Sequence, residues 1–152
     1  MKNIILNEGY MNSKFFFEKA YKDLIFEKKK KFIDLSNCAG SILLGHNYSY
    51  FIKSIEEYLS KKISNFAHPN VHALNFSKTI KKIFPNFNDV IYCNSGTEAV
   101  MKSLRVCRAI SKKKLIVSVS GSWHGSVDDL LFFPGKKLKP NPLSAGLPDD
   151  FK

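Results

Sequence analysis

Val90-Ile91-Tyr92-Cys93-Asn94-Ser95-Gly96-Thr97-Glu98-Ala99 is the stretch on which the fold turns. A continuous apolar run, Val90 to Cys93, reads as a strand buried on both faces, as in a parallel sheet. Asn94 to Glu98 is then a strand-to-helix turn, and Val100, Leu104, Cys107 and Ile110 set the inward face of the helix that follows. Lys112 to Lys114 close that helix, and Leu115-Ile116-Val117-Ser118-Val119 reads as a second buried strand. Residues 90 to 119 therefore predict a right-handed parallel βαβ unit, and the chain is placed in the α/β class.

The turn itself supports two readings. Ser95 and Glu98 have the spacing of a capping box, which closes the first turn of a helix and needs no ligand. The same turn leaves backbone N–H groups and the positive end of the helix dipole facing outward, a seat for phosphate. Its position at the carboxyl end of a strand, where α/β sheets place ligands, favours the second. The next strand ends in Ser120-Gly121-Ser122-Trp123-His124-Gly125, so an aromatic ring belongs beside the phosphate seat. A planar phosphorylated ligand fits, either a nucleotide or a pyridoxal cofactor. No Gly-x-Gly-x-x-Gly or Walker-type loop follows a strand, which removes dinucleotide and P-loop chemistry.

Working outward, Asn12-Ser13 is expected to cap a helix carrying Phe17, Ala20, Tyr21, Leu24 and Ile25, ending at Lys28 to Lys31. Phe32 to Leu35 and Ser41 to Leu44 are expected to pair as a small hairpin around Ala39-Gly40. Tyr48 to Lys62 reads as an amphipathic helix with a Glu57 to Lys61 pair. A loop carrying Ser64, Asn65, His68, Pro69 and Asn70 precedes a helix with Phe76, Ile80, Ile83 and Phe84 inward and Pro85 as its stop. Prolines and glycines from Pro134 on suggest an irregular tail. The expected organisation is an N-terminal segment of helices and a small hairpin, 1–72, the start of a ligand-binding α/β domain, 73–133, and the tail, 134–152.

Composition narrows the class. The 152 residues are one domain's worth, and 44% hydrophobic content with 13 Phe excludes a disordered chain. A net charge of +11 points toward nucleic acid, but only Arg105 and Arg108 among the 24 basic residues are arginines. Arginine is the residue that reads bases and grips phosphates bidentately, so nucleic acid is not the expected partner. Cys38, Cys93 and Cys107 have neither metal-like nor paired spacing, and His46, His68 and His72 lack a metal-site pattern, so no metal is expected and a reducing cytoplasm is. No run approaches the length of a transmembrane helix.

The ordered set Asn94-Ser95-Gly96-Thr97-Glu98-Ala99, a helix with Arg105 and Arg108, a strand, and Ser122-Trp123-His124-Gly125 resembles the cofactor segment of the class III pyridoxal-phosphate aminotransferases. It is most similar to the branch containing glutamate-1-semialdehyde aminomutase. Phe32-Ile33-Asp34, Ala39-Gly40-Ser41 and Leu44-Gly45-His46-Asn47 resemble the family's N-terminal segment. The resemblance implies an incomplete type I, aspartate-aminotransferase-like fold, ending after the first βαβ unit of the large domain. It implies pyridoxal phosphate as cofactor, with Ser95, Gly96 and Thr97 on its phosphate, Trp123 stacked on its ring, and His124 and Gly125 shaping the loop. Gly40 and Ser41 would line the substrate side.

The family's Schiff-base lysine and the acidic residue on the pyridine nitrogen match nothing here, so no catalytic residue is assigned and the chain alone is expected to be inactive. A truncated gene product, or a piece that assembles with a separately encoded C-terminal part, is the expectation, with a homodimer and a small amino-group donor or acceptor as the family's usual partners. The alternative from the residues is a non-catalytic phospholigand-binding or assembly module, and a basic nucleic-acid binder stands third.

Overall fold

Residues 15–61, 68–135 and 140–147 are described by a computed structural model. The chain divides into two units, Met1–Asn70 and Val71–Lys152. The first is built on a three-stranded antiparallel meander: β1 Lys19–Tyr21, β2 Leu24–Glu27 and β3 Lys30–Ile33. Its register pairs Tyr21 with Leu24 and Glu27 with Lys30, so both connections are two-residue turns, Lys22-Asp23 and Lys28-Lys29. Each opens on a left-handed lysine with φ 53°.

This corrects, over the described residues from 15 on, the helix expected between the Asn12-Ser13 cap and the lysine run Lys28 to Lys31. A spacing of four, as from Ala20 to Leu24, satisfies a period of two as well as one of 3.6, and the aromatic and β-branched content tips a short run toward strand. The lysine run is a hairpin turn and the start of β3, not a helix terminus. Phe15, Phe17 and Phe32 gather around the meander, with Phe32 edge-on to both partners at 5.2 and 5.6 Å between centroids. Glu18 Oε1 accepts from the Lys28 N–H at 3.0 Å and ties the second turn back.

The hairpin expected between Phe32–Leu35 and Ser41–Leu44 is also corrected. β3 pairs with β2, and no strand forms at 41–44. Instead Asn37–Gly40 makes a left-handed turn with φ of 46°, 50°, 55° and 84°. The physical cause is Asp34, whose carboxylate accepts from the Ser36 and Asn37 N–H groups and bends the chain out of the strand. The chain then returns to the meander, where Lys22 and His46 exchange backbone bonds of 2.9 and 2.8 Å. α1, Ser49–Ser60, follows as expected, with Lys61 paired to Glu57.

In the second unit α2, Val71–Ile83, ends before Pro85, and α3, Gly96–Ser111, begins at the decisive turn. Tyr92 packs on α2: its ring stacks on Phe76 at 6.0 Å and its hydroxyl donates to the Ala73 carbonyl at 2.9 Å. Among the described residues neither 90–93 nor 115–119 joins a ladder, so the βαβ unit is present as its helix with two unpaired flanks. A parallel strand takes its hydrogen bonds from neighbours and its burial from helices on both faces. Here Leu115 and Val117 stand 93% and 96% exposed, and no described residue is buried. A short 3-10 helix, Asp128–Leu130, leads into β4, Phe132–Pro134, which pairs antiparallel with β5, Pro140–Pro142. Thus the stretch read as an irregular tail contributes a strand.

The Asn12-Ser13 cap, Ser64, Asn65, Asp149, Asp150 and Lys152 lie outside the described residues. No described helix is long and apolar enough to cross a membrane.

Candidate functional site

The start of α3 is capped from both sides. Ser95 sits at the N-cap in extended backbone, φ −146° and ψ 161°, and its hydroxyl oxygen accepts from the Glu98 N–H at 3.2 Å. In a regular capping box the glutamate would reach back to the N-cap's own N–H. Here Glu98 Oε2 accepts from the Asn94 N–H instead, at 2.8 Å. Consequently the N–H groups of Ser95, Gly96 and Thr97 meet no acceptor among the described residues. Three adjacent donors at the positive end of a 16-residue helix are suited to an anion.

Gly96 adds to this. Its φ is not positive, and a Cβ built on it meets nothing within 4 Å. Neither backbone conformation nor protein packing therefore calls for glycine, whereas a close approach of ligand to the backbone would.

The loop after the second flank closes onto the same turn. Gly125 has φ +76°, and a Cβ there would lie 2.3 Å from Thr97 Oγ1 and 2.9 Å from Thr97 Cα. Thr97 Oγ1 accepts from the Ser126 N–H at 3.1 Å. Thus one lone pair of the Thr97 hydroxyl is committed to the neighbouring loop, and its O–H and N–H remain to donate to a ligand. Two loops that a parallel βαβ arrangement would set side by side are locked through one threonine.

Residues 5–143 match the family model for class-III aminotransferases. The chain belongs to that family. As a class-III aminotransferase chain it is similar to an omega-transaminase from Sphaerobacter thermophilus, at 23% identity and a TM-score of 0.79, over 90% of this chain and 33% of that one. It is also similar to a transaminase with PLP bound, at 20% identity and TM-score 0.78, over 90% and 32%. A third is a glutamate-1-semialdehyde aminomutase from Pseudomonas aeruginosa PAO1, at 20% identity and TM-score 0.72, over 88% and 29%. The chain thus spans about a third of the length of these structures, and the shared fold is the incomplete α/β fold expected from the sequence.

The other residues singled out in this class-III chain fall as follows. Trp123, two positions before Gly125, is 66% exposed, so its ring is open to a ligand. His124 is half-buried. Gly40 and Ser41 belong to the first unit, where Ser41 Oγ donates to the Cys38 carbonyl at 2.8 Å and space around Gly40 is open. Among the described residues no group of three or more His, Cys, Asp or Glu could hold a metal.

Two pairs escaped the sequence. Arg108 on α3 forms a bidentate ion pair with Asp129, 2.9 and 3.2 Å, beside a cavity of about 410 Å³ that Thr97 and Ser126 also line. The hydrogen bonds to Asp129 push the guanidinium above its usual value. Asp34 and His46 form the second pair at 2.8 Å. Both members of each pair lie far apart in sequence, 21 and 12 positions, so no local spacing betrays them.

Proposed function

We propose that this chain supplies the phosphate seat and the ring-stacking face of a pyridoxal-phosphate site in a class-III enzyme that transfers or shifts an amino group. The observation that carries this is that the N–H groups of Ser95, Gly96 and Thr97 at the head of α3 meet no acceptor among the described residues. The donor set fits a dianionic phosphate, the open space over Gly96 fits its close approach, and the exposed Trp123 ring fits a planar heterocycle. Bound there, the cofactor would act as an electron sink for the substrate's α-carbon.

What these residues do is narrower. Ser95, Gly96 and Thr97 bind and orient the phosphate. His124 and Gly125 set the path of the loop carrying Trp123, with Gly125 seated on Thr97. Gly40 and Ser41 face a small amino-group donor or acceptor. The lysine and the acid that complete the family's chemistry come from the part of the fold this chain does not span, in the same polypeptide or a separately encoded one, and often across a dimer interface. The free cysteines Cys38, Cys93 and Cys107 suit a reducing cytoplasm.

Trp123 is the one tryptophan, so its fluorescence reports this loop alone. Titrating the chain with pyridoxal phosphate should quench that emission saturably, and inorganic phosphate should compete. Gly96→Ala should weaken binding at least tenfold while leaving helix content unchanged or higher. Saturable quenching that phosphate does not compete, or that Gly96→Ala leaves untouched, would overturn the phosphate seat. Competition by phosphate without any quenching by the cofactor would favour a phospholigand-binding module that makes no use of the ring.

A further inference from the structure

We infer that Asp34 and His46 are positioning residues: their hydrogen-bonded pair fixes the left-handed turn Asn37–Gly40 and, through it, the placement of Gly40 and Ser41. The need for such a device is visible in the turn. Four successive residues hold positive φ, and only Gly40 among them lacks the Cβ that makes this conformation unfavourable. The turn's own backbone bonds are long, from Gly40 N–H to the Ser36 carbonyl at 3.2 Å, Ser41 N–H to Cys38 at 3.3 Å and Ile42 N–H to Asn37 at 3.3 Å. They do not account for a run of strained residues.

Apart from the Ser41 hydroxyl's 2.8 Å bond to the Cys38 carbonyl, the short bonds lie at the turn's two ends. Asp34 Oδ1 accepts from the Ser36 N–H at 3.0 Å, the Ser36 hydroxyl at 2.7 Å and the Asn37 N–H at 3.0 Å. Its other oxygen accepts from His46 Nε2–H at 2.8 Å. Both residues are also pinned to one place on the meander: the Asp34 N–H donates to the Asp23 carbonyl at 2.8 Å, and the His46 N–H donates to the Lys22 carbonyl at 2.8 Å. Gly45 allows that approach, since a Cβ there would sit 3.0 Å from the Lys22 oxygen. The chain between 34 and 46 is therefore a closed loop with its ends clamped on the Lys22-Asp23 turn and its carboxylate spread across the clamp.

The charged residues that backbone bonds bring to the pair are Lys22 and Asp23 of the β1–β2 turn. Lys22 meets His46 through its backbone, and its ammonium stands over the Tyr21 ring at 5.4 Å, so it does not compete for the carboxylate. The donors explain why the Asp34 carboxyl is held down at about 2, His46 first and Ser36 next. The consequence for substrate rests on the reading of Gly40 and Ser41 given above. The latch itself does not.

Nuclear magnetic resonance on the isotopically labelled 152-residue chain, with no ligand added, tests it. Cys38 and Ala39 should show left-handed backbone shifts, and the Asn37 amide should move with the Asp34 carboxyl carbon at a common midpoint near 2. His46→Ala should carry that midpoint up toward 3.8 and release Cys38 and Ala39 from the left-handed shifts. His46→Gln, whose amide can still donate to the carboxylate, should restore both.

Cross-strand contacts between Ala20 and Ile25 and between Ile25 and Phe32 show whether the meander persists. With the meander intact, unchanged Cys38 and Ala39 shifts in His46→Ala would overturn the latch, and so would failure of His46→Gln to restore them. Should His46→Ala lose the meander too, the acid titration of the unmodified chain decides. An Asn37 amide that ignores the Asp34 midpoint overturns the proposal, and one that follows it supports it. Failure of the phosphate seat would be read separately, in Trp123 emission.

Discussion

Two turns of this chain, Asp34–Gly40 and Asn94–Glu98, differ in what they do with their hydrogen-bonding groups. At Asp34–Gly40 one carboxylate collects three donors from the turn and a fourth from His46, and the strained backbone behind it is held shut. At Asn94–Glu98 the capping carboxylate reaches past the N-cap to Asn94, and three successive N–H groups meet no acceptor among the described residues. Closed polar groups build structure, whereas open ones at a helix head await an anion. The first turn is satisfied by its own side chains, and the second leaves the donors that the proposed phosphate would take.

The comparison can be broken most forcefully at Gly125. Gly125→Ala should cost about 2–3 kcal/mol locally, because a left-handed residue gains a Cβ that overlaps Thr97. Loss of the Ser126–Thr97 bond, followed by amide exchange, and loss of phosphate competition should accompany it. If Gly125→Ala leaves both intact, the two loops are not locked through Thr97.

Acid separates the turns next. Asp34 is held below its ordinary value, so its contribution is fully present above the usual carboxylate range and is lost as pH falls from there toward about 2. Circular dichroism and amide shifts between about pH 5 and 2, the window of carboxylate titration, should show the Asn37–Gly40 turn persisting until the pH approaches 2, independently of the head of α3. Simultaneous loss at both would remove the distinction.

Ser95→Ala should then cost about 1 kcal/mol, the usual value of an N-cap, seen as fraying of α3 with unchanged meander shifts. The smallest effect has the opposite sign. Gly96→Ala should stabilise α3 by about 0.5–1 kcal/mol, since the added methyl meets only open space, while weakening phosphate. A variant that gains helix and keeps its affinity would show that the glycine serves no ligand.

How much of this was legible depends on the range of the interactions. The three long helices were readable, because apolar spacing, Pro85, the Ser95 cap and the Glu57–Lys61 pair act within one or two turns of chain. The family could be read for the same reason, its motifs being contiguous. The meander was not: over Phe17 to Ile25 the helical and strand periods coincide, and pairing with Lys30–Ile33 decided the outcome. Nor were Arg108–Asp129, Asp34–His46 or the contact of Gly125 with Thr97, since each joins residues 12 or more positions apart.

The sequence by itself determined the helix head at Ser95–Glu98, the glycine beside it and the aromatic loop ending in Gly125, because caps and turns are written in neighbouring residues. Only the tertiary structure decided which N–H groups meet no acceptor there among the described residues, that Thr97 accepts from Ser126, and that a histidine twelve residues away completes the carboxylate at Asp34. Those outcomes depend on which distant backbone arrives within 3 Å, and local residue types do not encode that.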